Sequence, residues 1–204
     1  MSEIVTEGNG WVEQTADRAD LDVTFEARGR KRAAAVEALG ARVAEAEKAL
    51  GLDGVTTLSR RVWVHTEYRS GKPAGCRATE SIQVRVTDLS ALEETMSLLL
   101  GSEPASFSGP SWSLAEPEKV RAQAQQKAVE DARRRAEGYA AAVGGRLGAL
   151  VRLSEAAEHG GGAPMMAMRA RMAEAAPDVS DLGLDPEPVR VSARCTTTWT
   201  LISD

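Results

Sequence analysis

The chain has 204 residues, a hydrophobic fraction of 43%, a charged fraction of 27% and a formal net charge of −5, with a pI near 5.3. This is enough chain to bury a sizeable core without disulfides or metals. The acidic balance argues against nucleic acid or an anionic membrane as a main partner, since both need a basic face.

No apolar run approaches the roughly eighteen residues of a membrane span. The opening residues lack the basic and apolar regions of an export signal, and Cys76 and Cys195 suit a reducing compartment. The expectation is a cytoplasmic protein with no transmembrane segment. Alanine supplies much of the apolar count and aromatics only 4%, so helices should pack closely through small side chains.

In chain order, Ile4 to Gln14 reads as a strand, Thr15 to Arg18 as a turn and Ala19 to Gly29 as a second strand. In the latter, Leu21, Val23, Phe25 and Ala27 alternate with polar residues, the period of a half-buried strand. A helix is expected from Arg30 to Leu50, with Val36, Leu39, Val43, Ala46 and Leu50 on one face. Val55 to Tyr68 and Cys76 to Thr87 then form a hairpin around a loop from Arg69 to Gly75. Asp88 is placed to cap a short helix whose stripe is Leu89, Leu92, Met96 and Leu99. Ala105 to Leu114 is a short strand.

A long helix follows from Glu116 or Pro117 to Val143, with Pro117 suited to its first turn. Its narrow face is Val120, Ala124, Ala128, Ala132, Ala136, Tyr139 and Val143, which would let it lie close to a sheet. Leu147 to Glu155 is another strand. Residues 156–188, rich in methionine, proline and glycine, are expected to be a long flexible loop. From Val189 to Leu201 every second residue is apolar or small, marking a long final strand. The order β-β-α-β-β-α-β-α-β-β predicts an α+β fold with largely antiparallel sheet, as one domain over residues 4–202 or two lobes.

Three segments carry a family resemblance. The first is Val5-Thr6-Glu7-Gly8-Asn9-Gly10 with Ala16-Asp17-Arg18-Ala19. The second is Lys127-Ala128-Val129-Glu130-Asp131-Ala132, continued by Val143-Gly144-Gly145-Arg146-Leu147-Gly148. The third is the Met/Ala-rich segment followed by Pro188-Val189-Arg190-Val191-Ser192-Ala193. In this order and spacing the chain resembles the SIMPL domain family, named for a signalling molecule that associates with a mouse pelle-like kinase. Ala16 stands where that family usually has proline. Many bacterial members carry a secretion signal, a pattern that the opening residues here do not show. The resemblance implies an α+β fold, self-association and a stress-related or adaptor role, with no established catalytic residues to carry over.

Several constellations invite chemistry. Met165, Met168 and Met172, with Met166 beside them, are soft donors that could share a helix face and suit Cu(I). They equally suit a flexible apolar patch for a partner. His65 and Cys76 lie on the two arms of the hairpin, where an imidazole could activate a thiol. His159 precedes three glycines but lacks a phosphate-loop ending. Arg133-Arg134-Arg135, with Arg121 and Lys127, could bind phosphate, yet Glu130, Asp131 and Glu137 lie at pairing distance. Cys195 belongs to a buried alternation. Trp63 alternates against Val62 and Val64, so an exposed Trp63 with Arg61 and His65 would mark a surface for assembly.

The expectation is a non-catalytic, self-associating homo-oligomer acting through protein surfaces, with no cofactor. Its interface candidates are Trp63, His65, Met165, Met166, Met168 and Met172. The alternative is a small-ligand or metal binder using the Met-rich segment as a lid. An enzyme built on Cys76 and His65 is a third reading.

Overall fold

A computed structural model describes residues 2–155 and 184–203. The fold is α+β: among the described residues, seven strands form two antiparallel sheets, accompanied by three α-helices. The strands are β1 (Glu3–Thr15), β2 (Arg18–Gly29), β3 (Val55–Arg69), β4 (Lys72–Val86), β5 (Ser106–Ser113), β6 (Gly145–Glu155) and β7 (Pro188–Ser203). The helices are α1 (Arg32–Leu50), α2 (Leu92–Gly101) and α3 (Pro117–Ala142). The expected order holds, and the chain divides into two compact units.

The first unit holds β2, β3, β4, β5, α1 and α2, with its sheet in the order β3-β4-β2-β5. The two central strands carry the cleanest alternation because both of their edges are paired. Leu21, Val23 and Phe25 of β2 and Ile82, Val84 and Val86 of β4 are fully buried. They meet Leu39 and Val43 of α1 and Leu92, Met96 and Leu99 of α2 in one aliphatic core. Each such side chain stabilises the fold by about 1.5–3 kcal/mol relative to exposure.

The buried stripe of α1 is Ala35, Leu39, Val43, Ala46 and Ala49. Val36, expected inside, is exposed, and Leu50 is half-buried. The cause is the close entry of the helix. A Cβ built on Gly29 would lie 2.4 Å from the Ala35 nitrogen, so only a small side chain fits against the sheet there.

Asp88 caps as expected: its carboxylate accepts the Ser90 N–H at 3.0 Å and the Ser90 hydroxyl at 2.7 Å. A short 3-10 turn, Leu89–Ala91, then leads into α2.

The hairpin loop from Arg69 to Gly75 is corrected to a two-residue turn. Ser70 and Gly71 both adopt positive φ, 50° and 78°, as the primed turn of a tight hairpin requires. Pro73 lies inside β4 opposite Tyr68. It is tolerated because β2 pairs with β4 only from Cys76 onward, which leaves no second neighbour to need its missing N–H.

The face of this sheet opposite the helices is polar and cross-linked. Arg85 grips Asp20 with two donors at 2.7 and 2.8 Å. Arg77 reaches Glu26 on one neighbouring strand at 2.9 Å and Glu67 on the other at 2.6 Å. On the helix side, Arg60 bridges the buried Glu80 at 2.8 Å and Glu47 of α1 at 2.9 Å. The Glu80 carboxylate is the main cause holding the Arg60 guanidinium above its usual range.

The second unit holds β1, β6, β7 and α3, with its sheet in the order β1-β7-β6. Here the buried face of α3 is Val120 followed by Ala124, Ala128, Ala132, Ala136 and Ala140. The helix end departs from the expected stripe. Tyr139 and Val143 are exposed, and Ala140 continues the four-residue spacing instead.

Opposite these alanines β1 carries glycines. A Cβ on Gly8 would fall 1.9 Å from the Ala128 oxygen, and one on Gly10 would fall 2.1 Å from the Ala124 oxygen. The helix backbone therefore rests directly on the strand. Polar atoms caught in this contact are satisfied in sequence. The Trp199 indole donates to the Thr197 hydroxyl at 2.8 Å, which lies 3.0 Å from the Thr6 hydroxyl. Thr6 in turn donates to the Ala132 carbonyl at 2.8 Å.

Among the described residues no helix is long and apolar enough to cross a membrane.

Candidate functional site

The proposed nucleophile pair does not assemble. β3 and β4 are in a register that sets His65 opposite Arg77 and Thr66 opposite Cys76. Residues directly opposite share a face and successive residues alternate. His65 therefore lies on the polar face and Cys76 on the helix side, and an imidazole on one face of a sheet cannot take a proton from a thiol on the other. Glu67, two residues from His65 on the same strand, is engaged by Arg77. That hydrogen bond is the main cause holding its carboxyl below the usual range. Cys195 is buried in the second unit as expected, and burial pushes its thiol up, away from the reactive thiolate.

The arginine triplet is ion-paired. Arg133 meets Glu137 at 2.9 Å, and Arg134 and Arg135 both meet Asp131, the latter at 3.3 Å. Asp131 also accepts the backbone N–H of Asn9 at 3.2 Å. That bond, followed by the two arginines, lowers its pKa. A shallow depression of about 330 Å³ lies here, lined by Asn9, Trp11, Lys127, Glu130, Asp131 and Arg134. Its charges are engaged within the protein: Lys127 donates to the Trp11 carbonyl at 3.3 Å, and Gln126 donates to Glu130 at 2.9 Å. Beside it the Arg190 guanidinium stacks on the Trp11 ring at 4.4 Å.

Among the described residues no three His, Cys, Asp or Glu side chains come together as metal ligands. Met165, Met166, Met168, Met172 and His159 lie outside the described residues.

What the first unit does present is an unpaired edge. β3 is the outermost strand of its sheet. Leu58 is 45% exposed, Val62 55%, Trp63 48% and Tyr68 69%. Trp63 and His65 lie on the polar face, as their alternation predicts, with Arg61 beside them. Val62 points to the helix side yet stays exposed, since the buried stripe of α1 meets mainly the central strands. Between Ser59 and Glu67 the strand runs in unbroken register with β4, with irregularities only beyond each end.

The other edge, β5, differs. It carries a proline, Pro110, and a register shift against β2, features that blunt an edge against further pairing. The sequence shows Trp63 and His65 alternating outward. It does not show that β3 is terminal, because strand order is set by long-range pairing. Leu58, Val62 and Tyr68 were missed for that reason.

Among known proteins, no curated protein matches the chain. A crystal structure of AtUAH in complex with glyoxylate is similar at 15% identity, covering 60% of this chain and 34% of that one, with a TM-score of 0.29. The chain thus spans about a third of that protein's length, and a likeness this slight carries no argument about fold or chemistry. The family model that matches is SIMPL, described as a protein of unknown function (DUF541), over residues 4–199. With nearly the whole sequence matched, the chain belongs to the SIMPL family.

Proposed function

We propose that this protein acts through its surfaces, as a non-catalytic, self-associating protein of assembly or adaptor type. The observation that carries this reading is the edge of β3, where Leu58, Val62, Trp63 and Tyr68 are all at least 45% exposed along one outermost strand. An outer strand presents a row of unpaired N–H and C=O groups, and natural sheets commonly protect such a row with proline, bulges or cover. β5 carries such protection and the middle of β3 does not. Aromatic and arginine side chains beside an open strand edge, as at Trp63 and Arg61, are typical of buried contacts. Two other centres lend no support to a chemical role: His65 and Cys76 occupy opposite faces, and the arginine triplet is ion-paired.

The test is a native mass spectrum of the purified full-length chain across a range of protein concentration. The expected result is a discrete oligomer of bare chains. A bare monomer at every concentration overturns self-association. A monomer carrying reproducible added mass does the same and favours the ligand- or metal-binding reading, with Met168→Ala and Met172→Ala as the variants to make next.

A further inference from the structure

We infer that β3 pairs edge to edge and antiparallel with β3 of a second copy, in a register centred on Val64. This rests on the self-association proposed above and adds the partner, the strand and the register.

The argument is one of charge and side-chain matching along the strand. When two identical strands pair about a twofold axis perpendicular to the sheet, each residue meets the one equidistant on the other side of a central residue. Residues directly opposite share a face. Centring on Val64 sets Arg61 opposite Glu67 and Trp63 opposite His65 on the polar face, each pair occurring twice. On the helix side it sets Val62 opposite Thr66. All of these residues fall within the stretch from Ser59 to Glu67 that keeps regular register with β4, so the strand is in regular extended form there.

Neighbouring registers are worse. Centring on His65 puts Arg61 against Arg69, and centring on Arg61 puts that arginine against its own copy. Centring on Trp63 leaves Glu67 facing Ser59 and Arg61 facing His65, with no opposite charges matched. Like charges directly opposite destabilise a strand pair, and opposite charges stabilise it.

The state of the charges supports the choice. Arg61 has no carboxylate partner among the described residues. Glu67 is held by Arg77 at 2.6 Å and is 3.6 Å from Arg28, so it stands fixed and ionised at the strand. A second copy would give Arg61 its acid, cover half-exposed Trp63 with an imidazole, and satisfy the open backbone row. The two sheets would then run on as one.

The test combines a charge reversal with a cross-link, both in the full-length chain. Arg61 is exposed, so Arg61→Glu should leave the circular dichroism spectrum of the folded chain unchanged. It sets Glu opposite Glu twice, and should raise the dissociation constant measured by light scattering about tenfold or more. Val64→Cys places two thiols across the axis, where directly opposite Cβ atoms are about 4.5–5.5 Å apart, within reach of a disulfide after slight adjustment. Mild oxidation should give a covalent dimer on a non-reducing gel. Val62→Cys, offset from its own copy, should not, and neither should the unmodified chain with its native Cys76.

An oligomer that keeps its affinity in Arg61→Glu and gives no Val64→Cys cross-link overturns this register while leaving self-association standing. A wild-type chain that is monomeric throughout overturns both.

Discussion

The two units each pack a helix on an antiparallel sheet, and they do it with opposite chemistry. In the first, α1 and α2 meet β2 and β4 through Phe25, Leu21, Ile82, Leu39, Met96 and Leu99, large side chains that fill the space between backbones. In the second, α3 meets β1 and β7 through alanines over Gly8 and Gly10, with a hydroxyl of Thr6 bonded into the helix itself. One contact is stabilised by apolar area and the other by closeness of approach. The first should therefore suffer most from deletion and the second from any addition.

Deletion in the first unit should give the largest effect. Phe25→Ala removes a fully buried ring from the middle of the aliphatic core and should destabilise by about 3–5 kcal/mol in a denaturant titration. Addition in the second should come next. Gly8→Ala puts a carbon where the Ala128 oxygen stands, 1.9 Å away. Backbone cannot yield as a side-chain tip can, so the whole helix must lift, at a cost of about 3 kcal/mol. Ala132→Leu tests the same contact from the helix side and should cost roughly 1–3 kcal/mol. If Gly8→Ala were neutral while Phe25→Ala behaved as expected, the close approach of α3 would be refuted and the two units would share one kind of core.

This contrast also separates what the sequence reveals from what it hides. The alternation of Leu21, Val23, Phe25 and Ala27 is legible because large and polar residues differ strongly. So is the four-residue spacing of Ala124, Ala128, Ala132 and Ala136, because charged residues fill the gaps between them. The inner face of α1 is less legible. In Ala33-Ala34-Ala35-Val36 the larger residue draws the eye, yet the approach of Gly29 admits only Ala35. At the end of α3 the same bias favours Tyr139 over Ala140. The hairpin turn was hidden by Pro73, which reads as loop chemistry until strand order shows that no neighbour needs its N–H. At the candidate surface, Trp63 and His65 could be read from alternation. The separation of His65 from Cys76 and the terminal place of β3 could not, since both depend on register and pairing.

A smaller difference between the units should appear with pH. Asp131, between Asn9 and the arginines of α3, has its pKa lowered in the folded state. An unfolded aspartate titrates near about 4. The stabilisation it contributes is therefore fully present above about pH 4 and is lost as pH falls through the lower, folded value. Glu67 and Asp88 of the first unit are lowered as well, so acid weakens both units. Asp131→Asn isolates the second. The denaturation midpoint of the wild type should fall more steeply below about pH 4 than that of the variant, with the gap between them closing toward pH 2. Parallel curves would mean that Asp131 is as exposed to water in effect as in the unfolded chain.

The smallest effect sharpens the comparison most, because it removes sterics from it. Gly40 lies in α1 and Gly138 in α3, and a Cβ built on either meets nothing within 4 Å. Both glycines are helical and face away from their sheets, so the contrast in packing chemistry should vanish at these positions. What remains is the backbone entropy that glycine loses in a helix, worth about 0.5–1 kcal/mol relative to alanine. Gly40→Ala and Gly138→Ala should each stabilise by about that amount, measured as a rise in denaturant midpoint at unchanged slope. If Gly138→Ala destabilised while Gly40→Ala stabilised, α3 would have a second packed face, and the surface reading would then have to include it. Equal gains confine the intolerance to added atoms to the one stripe that touches Gly8 and Gly10.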